Sequence, residues 1–293
     1  MIEHPTQIGI HADDGHCIEV LRWLPAAAPR AVVQIAHGMG EHAARYGRVA
    51  RALVAAGHAV VANHHRGHGP AAAAARQLGD FGAGGFAAVV ADMARVSAFA
   101  QAQHVGVPVL LLGHSMGSFA AQLYLLDHHG LISGLALSGT AATDLRFADR
   151  STTRTLQDAN AHTVQPRTPF DWLSRDAAEV DAYIADPLCG FTVTPASRRS
   201  MFEACDRLSA PGAFGAVPHK ALPLYLFTGD SDPVNQHLAH FHPLVQRLRD
   251  AGFTDLRTRI YPGARHEVLN EIHRDEVTAD LLAWIDHVQR ARQ

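Results

Sequence analysis

Five short stretches of this chain are almost wholly apolar: "AVVQIAH" (31–37), "HAVVAN" (58–63), "VPVLLLGH" (107–114), "GLALSG" (134–139) and "ALPLYLFTG" (221–229). A strand with one wet face alternates polar and apolar residues, so continuous runs of this length mean strands covered on both faces, as in a parallel sheet. The stretches between them carry a helical period. Residues 44–56 stop at Gly57, residues 116–128 stop before Gly130, and in 86–104 Phe86, Val89, Val90, Met93, Val96 and Ala100 share one face. Strand and helix in alternation give a parallel sheet with helices on both sides.

The ends of the chain extend the pattern. "TQIGIHA" and "HCIEVLRWL" flank Asp13-Asp14-Gly15, an antiparallel pair around a tight turn. Late in the chain come a helix over 236–251 closed by Gly252, the strand "LRTRIYPG", and a terminal helix whose buried stripe is Val277, Leu281, Trp284, Ile285 and Val288. The expected architecture is α/β, a mostly parallel central sheet of about eight strands. The rhythm fails only from Leu145 to Val217, a stretch with several prolines and the aromatics Phe147, Phe170, Trp172, Tyr183, Phe191, Phe202 and Phe214. A structureless loop of that length is implausible in a compact domain. The division is therefore 1–144 (core, first part), 145–217 (a helical lid or cap insertion) and 218–293 (core, second part). The alanine run 71–75 reads as compositional bias, and no internal repeat is present.

Composition removes several classes of function. A net charge of −3 with 18% charged residues offers no basic stripe, so nucleic acid is not the expected partner. Cys17, Cys189 and Cys205 are odd in number and widely spaced, which suits a reducing compartment better than a disulfide framework. Without a leader-like first segment or a long apolar span, the expected location is cytoplasmic. The 21 histidines invite a metal reading. The best zinc-like start, His266-Glu267, has Asn270 where the second histidine would stand, so no metal is expected.

The chemistry sits where "VPVLLLGH" ends. Gly113-His114-Ser115-Met116-Gly117 is a G-x-S-x-G motif at a strand-to-helix junction, where small flanking residues allow a strained turn that lifts a serine hydroxyl above the sheet. Serine attacks a carbonyl only when a histidine removes its proton, and that histidine needs an acid to hold its tautomer. Later loops supply both, in the chain order Ser115, Asp232, His266. Asp232 is preferred over Asp230, which is placed to cap its own turn. Two backbone N–H groups, of Met39 in the glycine-flanked "HGMG" turn and of Met116, are the candidate oxyanion donors.

Taken together, "HGMGEHAARY" (37–46), "HHRGHG" (64–69), "GHSMGS" (113–118), "WLSRD" (172–176), "DPLCGF" (186–191), "GDSDPV" (229–234) and "GARHEVLNE" (263–271) resemble the monoacylglycerol lipase and lysophospholipase branch of the α/β-hydrolase superfamily. The matches run in collinear order along nearly the whole chain. The resemblance implies a serine hydrolase of monoacylglycerols, lysophospholipids or similar monoesters, acting through an acyl-enzyme without a cofactor, under a cap over an apolar acyl tunnel. It also implies that Glu41, Arg45 and Cys189 lie near the substrate's polar end. His64 stands where the family often has Asp, Pro70 where it often has Ser, and "LSGTA" replaces "LSAPA". The departures bear on substrate more than on mechanism. Aminopeptidase or thioesterase chemistry on the same three residues is the alternative within the enzyme class, with Glu41 as the acid for a substrate amine, and a silent ligand-binding scaffold is the alternative outside it. The insertion's aromatics suggest transient contact with a membrane or micelle surface; the oligomeric state is not written in the residues.

Overall fold

The computed structural model describes residues 4–291 of the 293-residue chain. Eight strands form one sheet: β1 (Thr6–His11), β2 (Cys17–Trp23), β3 (Val32–Ala36), β4 (Ala59–Asn63), β5 (Val109–His114), β6 (Gly134–Ser138), β7 (Leu224–Gly229) and β8 (Leu256–Tyr261). Their spatial order is β1-β2-β4-β3-β5-β6-β7-β8. The first two strands join antiparallel, with Ile8 opposite Val20 and Val20 opposite Asn63, and every pairing from β4 to β8 is parallel. From β3 to β7 every strand is buried along its whole length, as the apolar runs require.

Helices cover both faces: α1 (Gly47–Ala55), α2 (Gly69–Ala74), α3 (Gly85–Gln103), α4 (Met116–His128), α5 (Thr143–Arg146), α6 (Ala177–Ala185), α7 (Pro195–Ser209), α8 (Phe241–Asp250) and α9 (Arg274–Arg290). The two-residue period of the strands divides the core. Val33, Ile35, Leu110 and Leu112 pack with α1 and α9, while Val32, Ala36, Val109 and Leu111 pack with α3, α4 and α8. Gln34 is the polar member of β3. It is fully buried and satisfied, giving Nε2–H to Met93 O (2.9 Å) and accepting from Ser97 Oγ, which in turn accepts from Tyr124 OH (2.8 Å).

Two local expectations are corrected. The alanine run, read only as compositional bias, carries most of α2, whose helical backbone Pro70 pre-sets in the first turn. The helix expected from 236 begins only at Phe241, since Gln236, His237 and Leu238 all have positive φ. Asn235 Oδ1 accepts from Leu238 N–H at 2.8 Å and holds that left-handed turn.

Between β6 and β7 the chain is irregular and helical, with α5, α6, α7 and three-residue-per-turn segments at 157–162 and 213–216. Six of the seven aromatics of this stretch are buried in the core, and Phe191 is half-buried. The six buried rings face inward. Among the described residues no helix is long and apolar enough to cross a membrane.

Candidate active site

Ser115 occupies the single residue between β5 and α4, with φ 51° and ψ −120°. That conformation costs a non-glycine residue about 1–3 kcal/mol, so neighbours must hold it. They do: Ser115 N–H donates to Ser138 O (2.9 Å) and Ser118 Oγ donates to Ser115 O (2.6 Å). The flanking glycines are needed for close approach. A Cβ on Gly113 would lie 2.6 Å from Gly117 O, and one on Gly117 would overlap the carbonyls of Ala36 and His37.

The turn after β3 lies against this elbow, and a Cβ on Gly38 would sit 3.2 Å from Ser115 Cβ. Gly38 N–H is taken by Glu41 Oε1 (2.5 Å) and Gly40 N–H by His68 Nε2 (3.2 Å). Met39, between them, lines the same cavity as Ser115 and Met116. Met116 is the first residue of α4, where a backbone N–H has no partner inside the helix.

The loops after β7 and β8 bring Asp232 and His266 together. Nδ1 of His266 is 3.0 Å from both carboxylate oxygens of Asp232. Asp232 is fully buried and also accepts from Val234 N–H (2.8 Å), Thr228 Oγ1 (3.2 Å) and Asn235 Nδ2 (3.2 Å). Burial opposes its ionisation, but the facing His266 and the Val234 N–H outweigh that and hold its carboxyl below the usual carboxylate range. Asp230 instead accepts from Gly263 N–H (2.8 Å) and Ser231 Oγ (2.9 Å), tying the two loops together. Nε2 of His266 is buried and has no hydrogen-bond partner, Ser115 Oγ included.

The stretch between β6 and β7 steadies this histidine. Trp172 stacks at a tilt on the His266 ring (centroids 5.1 Å), Trp172 O accepts from His266 N–H (3.4 Å), and Leu173 O accepts from Glu267 N–H (2.8 Å). Trp172 and Glu267 went unmarked in the sequence as contributors, apart from their places in longer motifs.

Glu41, Arg45 and Cys189 lie outside the lining of the Ser115 cavity. Glu41 accepts from Gly38 N–H, Tyr46 OH (2.9 Å) and Arg45 Nη1 (2.7 Å). Arg45 reaches on to Glu267 with both prongs (2.6 and 2.8 Å) and stacks over the Tyr183 ring at 4.8 Å. One guanidinium thus joins the turn holding Met39 to the residue following His266. Burial works against the Glu267 carboxylate, but Arg45 overrides it and holds its pKa at about 2. Ligand atoms of His42, Asp186 and Cys189 lie within 4.8 Å of one another, with His42 Nε2 already 2.8 Å from Asp186 Oδ2.

The "HHRGHG" motif sits beneath the turn. His37, His64, His65 and His68 are all buried, with the His37 and His65 rings 4.3 Å apart. His37 Nε2 accepts from His65 N–H at 3.0 Å, leaving Nδ1–H to donate to Gly38 O at 2.8 Å. Burial, reinforced by neighbouring histidines, pushes His65 down to about 3 and His64 and His68 to about 4, against an ordinary 6.5. Arg66 beside them is held by Asp92 and Asp14.

An eight-stranded sheet of this order, an elbow serine after β5 and an Asp–His pair on the loops after β7 and β8 define an α/β-hydrolase of the serine hydrolase class. More closely, residues 27–273 match the Hydrolase_4 family model, described as serine aminopeptidase, S33, and the chain belongs to that family. It is 31% identical to a monoacylglycerol lipase of Mycolicibacterium smegmatis, covering 90% of each chain. It is 30% identical to the Homo sapiens monoglyceride lipase, covering 93% of this chain and 88% of that one. A thermostable carboxyl esterase from Bacillus coagulans, in complex with glycerol, superposes with TM-score 0.85 at 29% identity, covering 98% and 99%.

Two outcomes follow. Arg45→Met strands two buried carboxylates and should lower stability in urea unfolding by about 3–5 kcal/mol, the cost of breaking a buried ion pair from one side. An unchanged unfolding midpoint would contradict the clamp. The histidines are neutral when folded and titrate at 6.5 when unfolded, so the unfolded chain binds more protons as pH falls. Stability should therefore drop between pH 6.5 and about 4, by about 1.4 kcal/mol per pH unit for each histidine. Melting temperatures measured across that window would be flat if the rings were already charged in the fold.

Proposed function

We propose that this protein hydrolyses a carboxylic monoester through an acyl-enzyme on Ser115. Ser115 Oγ attacks the carbonyl carbon while His266 Nε2 takes its proton, and Asp232 holds the imidazole tautomer and stabilises the imidazolium. The N–H groups of Met39 and Met116 receive the developing oxyanion. His266 then returns the proton to the departing alcohol, and water repeats the sequence on the acyl group. The reading requires Ser115 Oγ to swing onto Nε2 in the substrate complex, a closure that apo sites commonly leave to ligand binding.

The observation that carries this reading is His266 itself: one ring nitrogen sits on a buried carboxylate, and the other is buried and unpartnered. Residues 145–217 act as the lid, because they supply most of the cavity lining, Phe147, Trp172, Met201 and Phe202 among them. The relatives' names, monoacylglycerol and monoglyceride lipase and a glycerol-bound carboxyl esterase, favour a monoester with a small alcohol. Aminopeptidase chemistry finds less support. Glu41, the acid it would use, is engaged by Arg45, Tyr46 and Gly38, and the cavity holds arginines that repel an ammonium group.

A fluorophosphonate should label Ser115 and leave Ser115→Ala unlabelled. On a panel of acyl esters, Asp232→Asn should lower kcat by about 10⁴ with little change in KM, since it presents the wrong tautomer. Labelling that persists in Ser115→Ala, or full activity in Asp232→Asn, would remove the mechanism.

A further inference from the structure

The cavity beside Ser115 is not uniformly apolar. Arg198, on α7, is 8% exposed, and among the described residues its side chain's one hydrogen bond is Nη2 to Met39 Sδ at 3.9 Å. Arg146, at the end of α5, is half-buried with its guanidinium 5.9 Å from the Phe147 ring centre. The Nε atoms of both are buried without a hydrogen-bond partner, and among the described residues neither arginine forms an ion pair. Arg45 and Arg66, by contrast, are each clasped by two carboxylates.

A buried guanidinium without a carboxylate is costly, and it stays protonated at any ordinary pH. Burial lowers the affinity of both groups for their protons, and the charge of Arg146 adds to the effect on Arg198. An anion placed between them relieves both costs. The remaining charged groups of the lining, Asp149, Arg154 and Asp158, are exposed at the rim. Arg154 Nη2 pairs with Asp149 Oδ2 at 2.7 Å, and Asp158 Oδ2 accepts from Thr155 N–H at 2.7 Å. Among the lining residues the deep charge is therefore positive, and the buried Asp232 carboxylate, itself paired with His266, offsets only part of the cost on Arg146.

We propose that Arg146 and Arg198 form an anion-binding subsite beside Ser115, so that the preferred substrate is a monoester that also carries a carboxylate or phosphate group. The guanidinium forks suit either group's paired oxygens, and Phe119, Phe147, Met201 and Phe202 line the space for the carbon chain between anion and ester. The inference rests on the ester-hydrolase reading above and specifies its substrate class.

Two matched pairs of esters test it: p-nitrophenyl glutarate against p-nitrophenyl pentanoate for a carboxylate, and a 1-acylglycerol 3-phosphate against the same 1-acylglycerol for a phosphate. In at least one pair kcat/KM should be higher for the anion. Arg198→Met and Arg146→Met should each lower the anionic-to-neutral ratio by about 10- to 150-fold, the range of a lost charge-assisted hydrogen bond. Competition on the wild-type enzyme needs no variant: glutarate or glycerol 3-phosphate should inhibit where glutaramide and glycerol do not, and added salt should weaken it. Neutral esters preferred in both pairs, with no inhibition by either anion, would overturn the subsite and leave the hydrolase reading intact. No turnover of any ester, with Ser115 unlabelled by the fluorophosphonate, would overturn the hydrolase reading, and glutarate binding by calorimetry would then decide the subsite alone.

Discussion

The structure turns on how closely two turns approach each other at the carboxyl end of the sheet. Gly117 lies against the carbonyls of Ala36 and His37 with no room for a side chain, and Gly38 lies against Ser115. Because β3 and β5 are hydrogen-bonded neighbours, with Ala36 opposite Gly113, the turn leaving each strand is delivered to the same place. The missing side chains set the spacing. Ser115 accepts a left-handed backbone because the sheet beside it offers Ser138 O to its N–H, so rigid strands stabilise a conformation the residue would not adopt alone.

Around that contact the chain deals with buried charge in two ways. Asp232, Glu41 and Glu267 are each surrounded by donors, and in a medium of low dielectric such pairing fixes geometry as well as charge. Arg45 thereby ties the turn carrying Met39 to the loop carrying His266, two parts of the candidate site. The histidines of "HHRGHG" avoid the cost by staying neutral. Arg146 and Arg198 follow neither course.

Much of the fold was legible in the residues. Continuous apolar runs marked the inner strands, Asp13-Asp14-Gly15 marked the hairpin, and the helical stripes at 86–100 and 277–288 are the ones that pack. These signals are local, set by backbone period and burial. Local signals misled where a tertiary contact overrode them: the left-handed turn at 236–238 delays α8, and the aromatics of 145–217 point into the core rather than outward. The apolar tunnel implied by the family resemblance also differs from the observed lining, which mixes Phe and Met with arginine.

The sequence by itself determined a doubly covered parallel sheet and a serine elbow at a strand end, because periodicity and glycine placement act over a few residues. Only the tertiary structure decided the partners of the charged groups. Arg45 meets a carboxylate 222 residues away, while Arg146 and Arg198 meet none among the described residues, and nothing local distinguishes these arginines. Pairing of that kind depends on where whole elements pack, since a charge in the interior takes its partner from whichever side chain the sheet and helices bring within reach.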